Sequence, residues 1–108
     1  MSQTHTIGRH ATRVTKDGKT STVRYHSTDV VTVTWHTGII TLNTGGWWTT
    51  TTKLRMNQAS REWGLGYQVY QANFDWFVSI DGEDYNYTLE SHSPRGEVFQ
   101  FATGESQR

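Results

Sequence analysis

Apolar and polar residues alternate along two stretches of the chain and follow a helical stripe in a third. From Asp29 to His36, Val31, Val33 and Trp35 fall on one side of an extended chain, and Thr32 and Thr34 on the other. Thr37-Gly38 reads as a two-residue turn, which pairs Trp35 with Ile40 and Val33 with Leu42. All four then share one face, as a sheet with a single buried side requires. A second hairpin is predicted from Tyr67–Gln71 through Ala72-Asn73-Phe74-Asp75 to Trp76–Ile80. It pairs Tyr70 with Phe77, Val69 with Val78 and Tyr67 with Ile80. Upstream, Asp17-Gly18 between Thr12–Thr15 and Thr20–His26 is a further hairpin cue. Asp81-Gly82 turns the chain into an expected strand at Asn86–Glu90, and a last strand is expected at Glu97–Phe101.

The helical stripe is Thr52, Met56, Ala59 and Trp63, at i, i+4, i+7 and i+11. One of the threonines just before it is a natural N-cap, and Gly64 is a natural stop. The pattern predicts one helix over 51–63. The expected fold is α+β: an antiparallel sheet of about five to seven strands with that helix packed against it, in the order β-β-β-β-α-β-β-β. The expected core is Val33, Trp35, Ile40, Leu42, Met56, Ala59, Trp63, Val69, Val78 and Ile80. Residues 12–101 form a single small domain in this reading, with 1–11 and 102–108 as flexible ends.

Composition changes the picture in one respect. Leu, Ile, Val and Phe supply only twenty of 108 residues, a fraction seen in disordered chains. Disorder usually brings high net charge, and here ten basic residues balance ten acidic ones. Fourteen aromatics, five of them Trp, take the place of the missing aliphatic area. Eighteen threonines favour strands and caps. The balanced charge argues against a polyanion binder held by bulk charge. The absence of Cys excludes disulfides, Cys-based zinc sites and a thiol nucleophile. No apolar run is long enough to span a membrane, and the first residues lack the pattern of a signal peptide.

Candidate chemistry concentrates between Asn43 and Arg61. A Gly-Gly break, two tryptophans, a threonine run and a helix start follow one another there. A helix N-terminus offers unpaired N–H groups and partial positive charge to an anion. Trp47, Trp48, Thr50, Thr51, Lys53, Asn57 and Arg61 are the candidate ligand-binding residues. Threonines would hold phosphate, Lys53 and Arg61 would neutralise it, and a Trp would stack. Lys53, Asn57, Ser60 and Arg61 are read as the helix face turned away from the apolar stripe. A capped helix with solvated basic residues explains the same pattern without any ligand. The GxxxxGK[ST] spacing of a P-loop is absent.

Tyr70 and Phe77 form a second candidate, as a stacking platform or as anchors for a protein partner. A second small core explains them equally. The histidines have no metal-ligand spacing, and no HExxH or GxSxG occurs, so no metal, cofactor or catalytic residue is expected. Thr-x-Thr at Thr20/Thr22 and Thr32/Thr34 resembles the units of ice-binding surfaces, but two copies make no array.

The central segment also carries a resemblance. Thr28-Asp29-Val30-Val31, Ile40-Thr41-Leu42-Asn43-Thr44-Gly45-Gly46-Trp47 and Thr51-Thr52-Lys53-Leu54-Arg55-Met56-Asn57-Gln58 resemble a group of small proteins encoded by tailed bacteriophages. The similar stretch covers about residues 25–80, through Gly66–Tyr70 and Trp76-Phe77-Val78. In that group a basic residue often stands where this chain has Trp48, a departure that weakens a general polyanion site there. The resemblance implies an origin, a phage or prophage gene expressed in the host-cell cytoplasm, and no particular activity.

The expected function is therefore that of a small non-enzymatic phage accessory protein. It would bind single-stranded nucleic acid, a nucleotide or another phosphorylated ligand near the start of its helix. The alternatives are a module that binds and inhibits a host protein, with Tyr70 and Phe77 as anchors, and a minor virion component. No membrane partner is expected, and the oligomeric state is open.

Overall fold

The computed structural model describes residues 11–91 and 97–102. The ends expected to be flexible therefore lie outside the described residues, except for Ala11 and Ala102. Strands β1 (Thr12–Lys16), β2 (Thr20–Tyr25), β3 (Thr28–Thr34) and β4 (Ile39–Asn43) come first, followed by helix α1 (Thr50–Trp63). Then come β5 (Tyr67–Ala72), β6 (Asp75–Ile80), β7 (Glu83–Asn86), the short helix α2 (Tyr87–Glu90) and β8 (Val98–Ala102). The α+β expectation holds, with one difference. Among the described residues the strands form two antiparallel sheets, β1-β2-β3-β4-β8 and β5-β6-β7, rather than one.

The inward face of the larger sheet carries Val23, Tyr25, Val31, Val33, Ile40, Leu42 and Phe99, all buried. Val23 pairs with Val31 and Arg24 with Asp29, so Val30 is an extra residue in β3. This bulge lets Val30 and Val31 both point into the core. Outward, Thr15, Thr22, Thr32 and Thr41 are cross-strand partners over four strands, continued by Gln100, which donates to Thr41. Thr20 opposes Thr34 in the next row. Much of the threonine excess is thus the solvent side of this sheet.

Aromatic rings fill the space between the two sheets. Tyr87 is fully buried and stacks on Phe99 at 5.5 Å between ring centroids. Trp48 and Trp76 meet Tyr87 edge-on at 5.5 and 6.0 Å, and each other at 5.0 Å. Each such pair contributes roughly 0.5–1.5 kcal/mol beyond its buried area. The phenol groups are satisfied: Tyr87 donates to the Glu97 carbonyl at 2.7 Å and Tyr67 to the Met56 carbonyl at 2.6 Å.

Helix α1 is capped at its start by Thr49, whose hydroxyl accepts from the Thr52 amide at 3.2 Å, and at its end by Gly64 in the left-handed conformation. Thr52, Met56 and Ala59 are buried and Trp63 is partly buried, as the stripe requires.

Three expectations are corrected. Val33 pairs with Ile40 and Val31 with Leu42, two residues away from the predicted register. The loop spans Trp35–Gly38, closed by a hydrogen bond from the Gly38 amide to the Thr34 carbonyl at 2.8 Å. Trp35 therefore leaves the strand. It is 42% exposed rather than core, and its indole N–H donates to Ser21 at 2.8 Å. Second, the strand after Asp81-Gly82 is Glu83–Asn86 rather than Asn86–Glu90: the Asn86 side chain accepts from the Leu89 amide and the chain turns helical from Tyr87. Third, the β5–β6 register is as predicted, but the ladder runs on to Ala72 and Asp75, leaving a tight two-residue turn at Asn73-Phe74.

Candidate functional site

α1 lies alongside the outer edge of β5, and its polar side chains take the place of a neighbouring strand. Ser60 donates to the Tyr67 carbonyl at 2.6 Å and accepts from the Tyr67 amide at 3.1 Å. One turn back, the Asn57 carboxamide donates to the Val69 carbonyl at 2.8 Å and accepts from the Val69 amide at 2.7 Å. One turn further back stands Lys53. Its ammonium donates to the side-chain oxygen of Gln71 at 3.1 Å and lies 5.2 Å from the Trp76 ring centroid. The backbone of Gln71 is left out of this series. By the alternation that turns Tyr67 and Val69 outward, the amide and carbonyl of Gln71 also face outward.

Where the pattern ends, a groove of about 710 Å³ opens. Leu54, Tyr70 and Phe74 supply its apolar walls, and Lys53, Asn57 and Gln71 its polar floor. Phe74 is 94% exposed at the tip of the β5–β6 turn, and Leu54 is 43% exposed. The turn is built from two residues of positive φ, Asn73 at 52° and Phe74 at 71°. Such turns favour Asn at the first position and Gly at the second. A phenylalanine there is both exposed and strained.

The structure brings three of the seven ligand-binding candidates, Thr50, Lys53 and Asn57, to this groove. The other four do not line it. Trp48 is turned into the aromatic core. Trp47 lies on the larger sheet's side, stacked on His26 at 5.3 Å. Thr51 is half-buried in the first turn of α1, and Arg61 is exposed near the helix end. The helix face read as solvated is in fact the one that grips β5, with Ser60 buried. Tyr70 and Phe77 stack at 5.5 Å on the outer face of the smaller sheet and are half-buried. Burial and a hydrogen bond to Asp84 push the Tyr70 hydroxyl pKa up.

Leu54, Gln71, Asn73 and Phe74 were not singled out by sequence. The signal available was the Asn-Phe pair between two strands, where Asn-Gly is the ordinary choice.

The family described as Kyanoviridae Gp96 protein matches this chain over residues 1–103. No curated protein and no solved structure matches it.

Proposed function

This chain belongs to the Kyanoviridae Gp96 family, a family of phage proteins, and we propose that it is a non-enzymatic accessory protein that binds an extended segment of a host protein. The segment lies in the groove between α1 and the β5–β6 turn. One observation carries this reading: Phe74 holds a large apolar ring in solvent, at a backbone conformation that disfavours it, beside the main chain of Gln71, which no α1 side chain among the described residues engages as Ser60 and Asn57 engage Tyr67 and Val69. Strain and exposure together mark positions kept for function rather than for stability.

The chemistry of the segment follows from the walls. Its backbone pairs with the amide and carbonyl of Gln71, as added strands do at open sheet edges. An apolar side chain sits between Leu54 and Phe74. An acidic side chain faces Lys53. In this reading the host-cell cytoplasm is where binding takes place. No helix of the described residues is long and apolar enough to cross a membrane.

A nucleic acid or phosphorylated ligand at the start of α1 is the weaker reading. The Thr49 hydroxyl already accepts from the Thr52 amide, Trp48 packs inward, and Arg61 lies about two turns from Lys53.

Selection from a peptide library on the immobilised protein tests the proposal. Peptides with an apolar and an acidic residue should be enriched. Their binding should shift the amide resonances of Leu54, Gln71 and Phe74, and Phe74→Asp should abolish it. Equal enrichment on Phe74→Asp, or shifts elsewhere on the surface, would overturn it.

A further inference from the structure

A second cleft, of about 340 Å³, lies on the larger sheet, where β1 meets the end of β2. Ala11, Thr12, Arg13, Arg24 and His26 line it. Arg13 and Arg24 are direct cross-strand partners, so two guanidinium groups leave neighbouring strands on the same face. Like charges in that position destabilise a ladder. Arg24 is partly neutralised by Asp29 at 3.0 Å and also donates to the Ser27 carbonyl at 3.2 Å. Arg13 is exposed and has no such partner among the described residues. Two residues of the cleft, Ala11 and His26, hold positive φ values of 49° and 57°. They are joined by a hydrogen bond from the His26 amide to the Ala11 carbonyl at 2.7 Å. The His26 ring stacks on Trp47, which is 44% exposed.

From this arrangement we infer that the cleft is a nucleotide site: a phosphate group sits against Arg13 and Arg24, and the attached base lies on the exposed part of Trp47. The planar, multiply donating guanidinium suits phosphate oxygens, and an indole face accepts any base. A phosphate there would offset the repulsion between the two arginines, of which Asp29 pairs with Arg24. None of this depends on the groove beside β5.

The test is an NMR titration of the full chain, read at the Trp47 indole N–H and the amides of Arg13 and His26. The probes are adenosine 5′-monophosphate, adenosine without phosphate and inorganic phosphate. The monophosphate should shift all three signals saturably and bind at least tenfold more tightly than either fragment. Arg13→Ala should weaken it about tenfold, with a Tm no lower than that of wild type because the repulsion from Arg24 is removed. Lys19→Ala, at the opposite end of the β1–β2 hairpin, should leave it unaltered. No saturable shift with the monophosphate, or equal affinity in Arg13→Ala, would overturn the site. Adenosine binding as tightly as the monophosphate would remove the role of the arginines. Phosphate binding as tightly would remove that of Trp47.

Discussion

The carboxamide of Asn57 engages both main-chain groups of Val69, donating to its carbonyl at 2.8 Å and accepting from its amide at 2.7 Å. One side chain on a helix thereby does what a neighbouring strand would do. With Ser60 on Tyr67 it closes most of the β5 edge, and an open edge is otherwise a template for unwanted pairing. What remains open, at Gln71, is limited to the groove. The same contacts thus fix the fold and delimit the proposed binding site.

Asn57→Ala removes both hydrogen bonds and leaves a partly buried amide and carbonyl without partners. A loss of about 1–3 kcal/mol is expected, measured by urea unfolding. Asn57→Asp keeps the acceptor but sets a carboxylate oxygen against the Val69 carbonyl, and should be at least as damaging. Wild-type stability in both variants would show that the edge closure contributes nothing.

Gly45 approaches Thr28 so closely that an added Cβ would overlap the threonine side chain, and its φ is +60°. Gly45→Ala should therefore destabilise by about 1–2 kcal/mol from the backbone conformation alone, and by more from the clash. Thr28→Ala in the Gly45→Ala background should recover part of the loss, because it removes the Oγ and Cγ atoms that the methyl meets. Strict additivity of the two substitutions, in a double-mutant cycle of unfolding free energies, would contradict the close approach.

Alkaline pH should unfold the protein through its buried tyrosines. Burial raises the pKa of Tyr67, with the nearby Tyr87 adding to it, and burial likewise raises that of Tyr87. A raised folded pKa means that the stabilisation is complete below the unfolded value of 10.0 and is lost as pH climbs above it. Tm should be flat up to about pH 9 and fall steeply beyond 10, and Tyr87→Phe should soften that fall.

Acid acts through the first hairpin. The amides of Thr20 and Lys19 donate to the Asp17 carboxylate and lower its pKa below 3.8. The stabilisation is present above the unfolded pKa and disappears as pH falls through the folded one. Wild type should exceed Asp17→Ala in Tm at pH 7, and the difference should shrink below about pH 4. A gap that stays constant down to pH 2 would rule the carboxylate out.

Local signals were legible where several agreed. A threonine cap, a stripe through Met56 and Ala59 and a glycine stop placed α1 to within one residue. Pairing Tyr70 with Phe77 gave the β5–β6 register. In β3–β4 the turn was misplaced, yet a shift of two preserves which residues share a face, so Val33, Ile40 and Leu42 still reached the core. Two things were hidden. The pairing of β4 with β8 joins segments far apart in sequence, and no local pattern specifies it. Polar periodicity also cannot tell a solvated side chain from one that satisfies a backbone, which is why Asn57 and Ser60 read as surface. The candidate site was legible at Thr50, Lys53, Asn57 and Tyr70, the last as an anchor for a protein partner. Its apolar half depends on Phe74, whose meaning rests on a backbone angle that sequence does not display.

Phe74→Gly is the measurement that tests the account most directly. Glycine relieves the positive φ and removes an exposed ring, so the variant should be more stable than wild type by about 1 kcal/mol. The same variant should lose at least tenfold in affinity for the peptides selected on wild type. A variant that is more stable and binds as wild type does would leave Phe74 unexplained by partner binding and contradict the proposed groove.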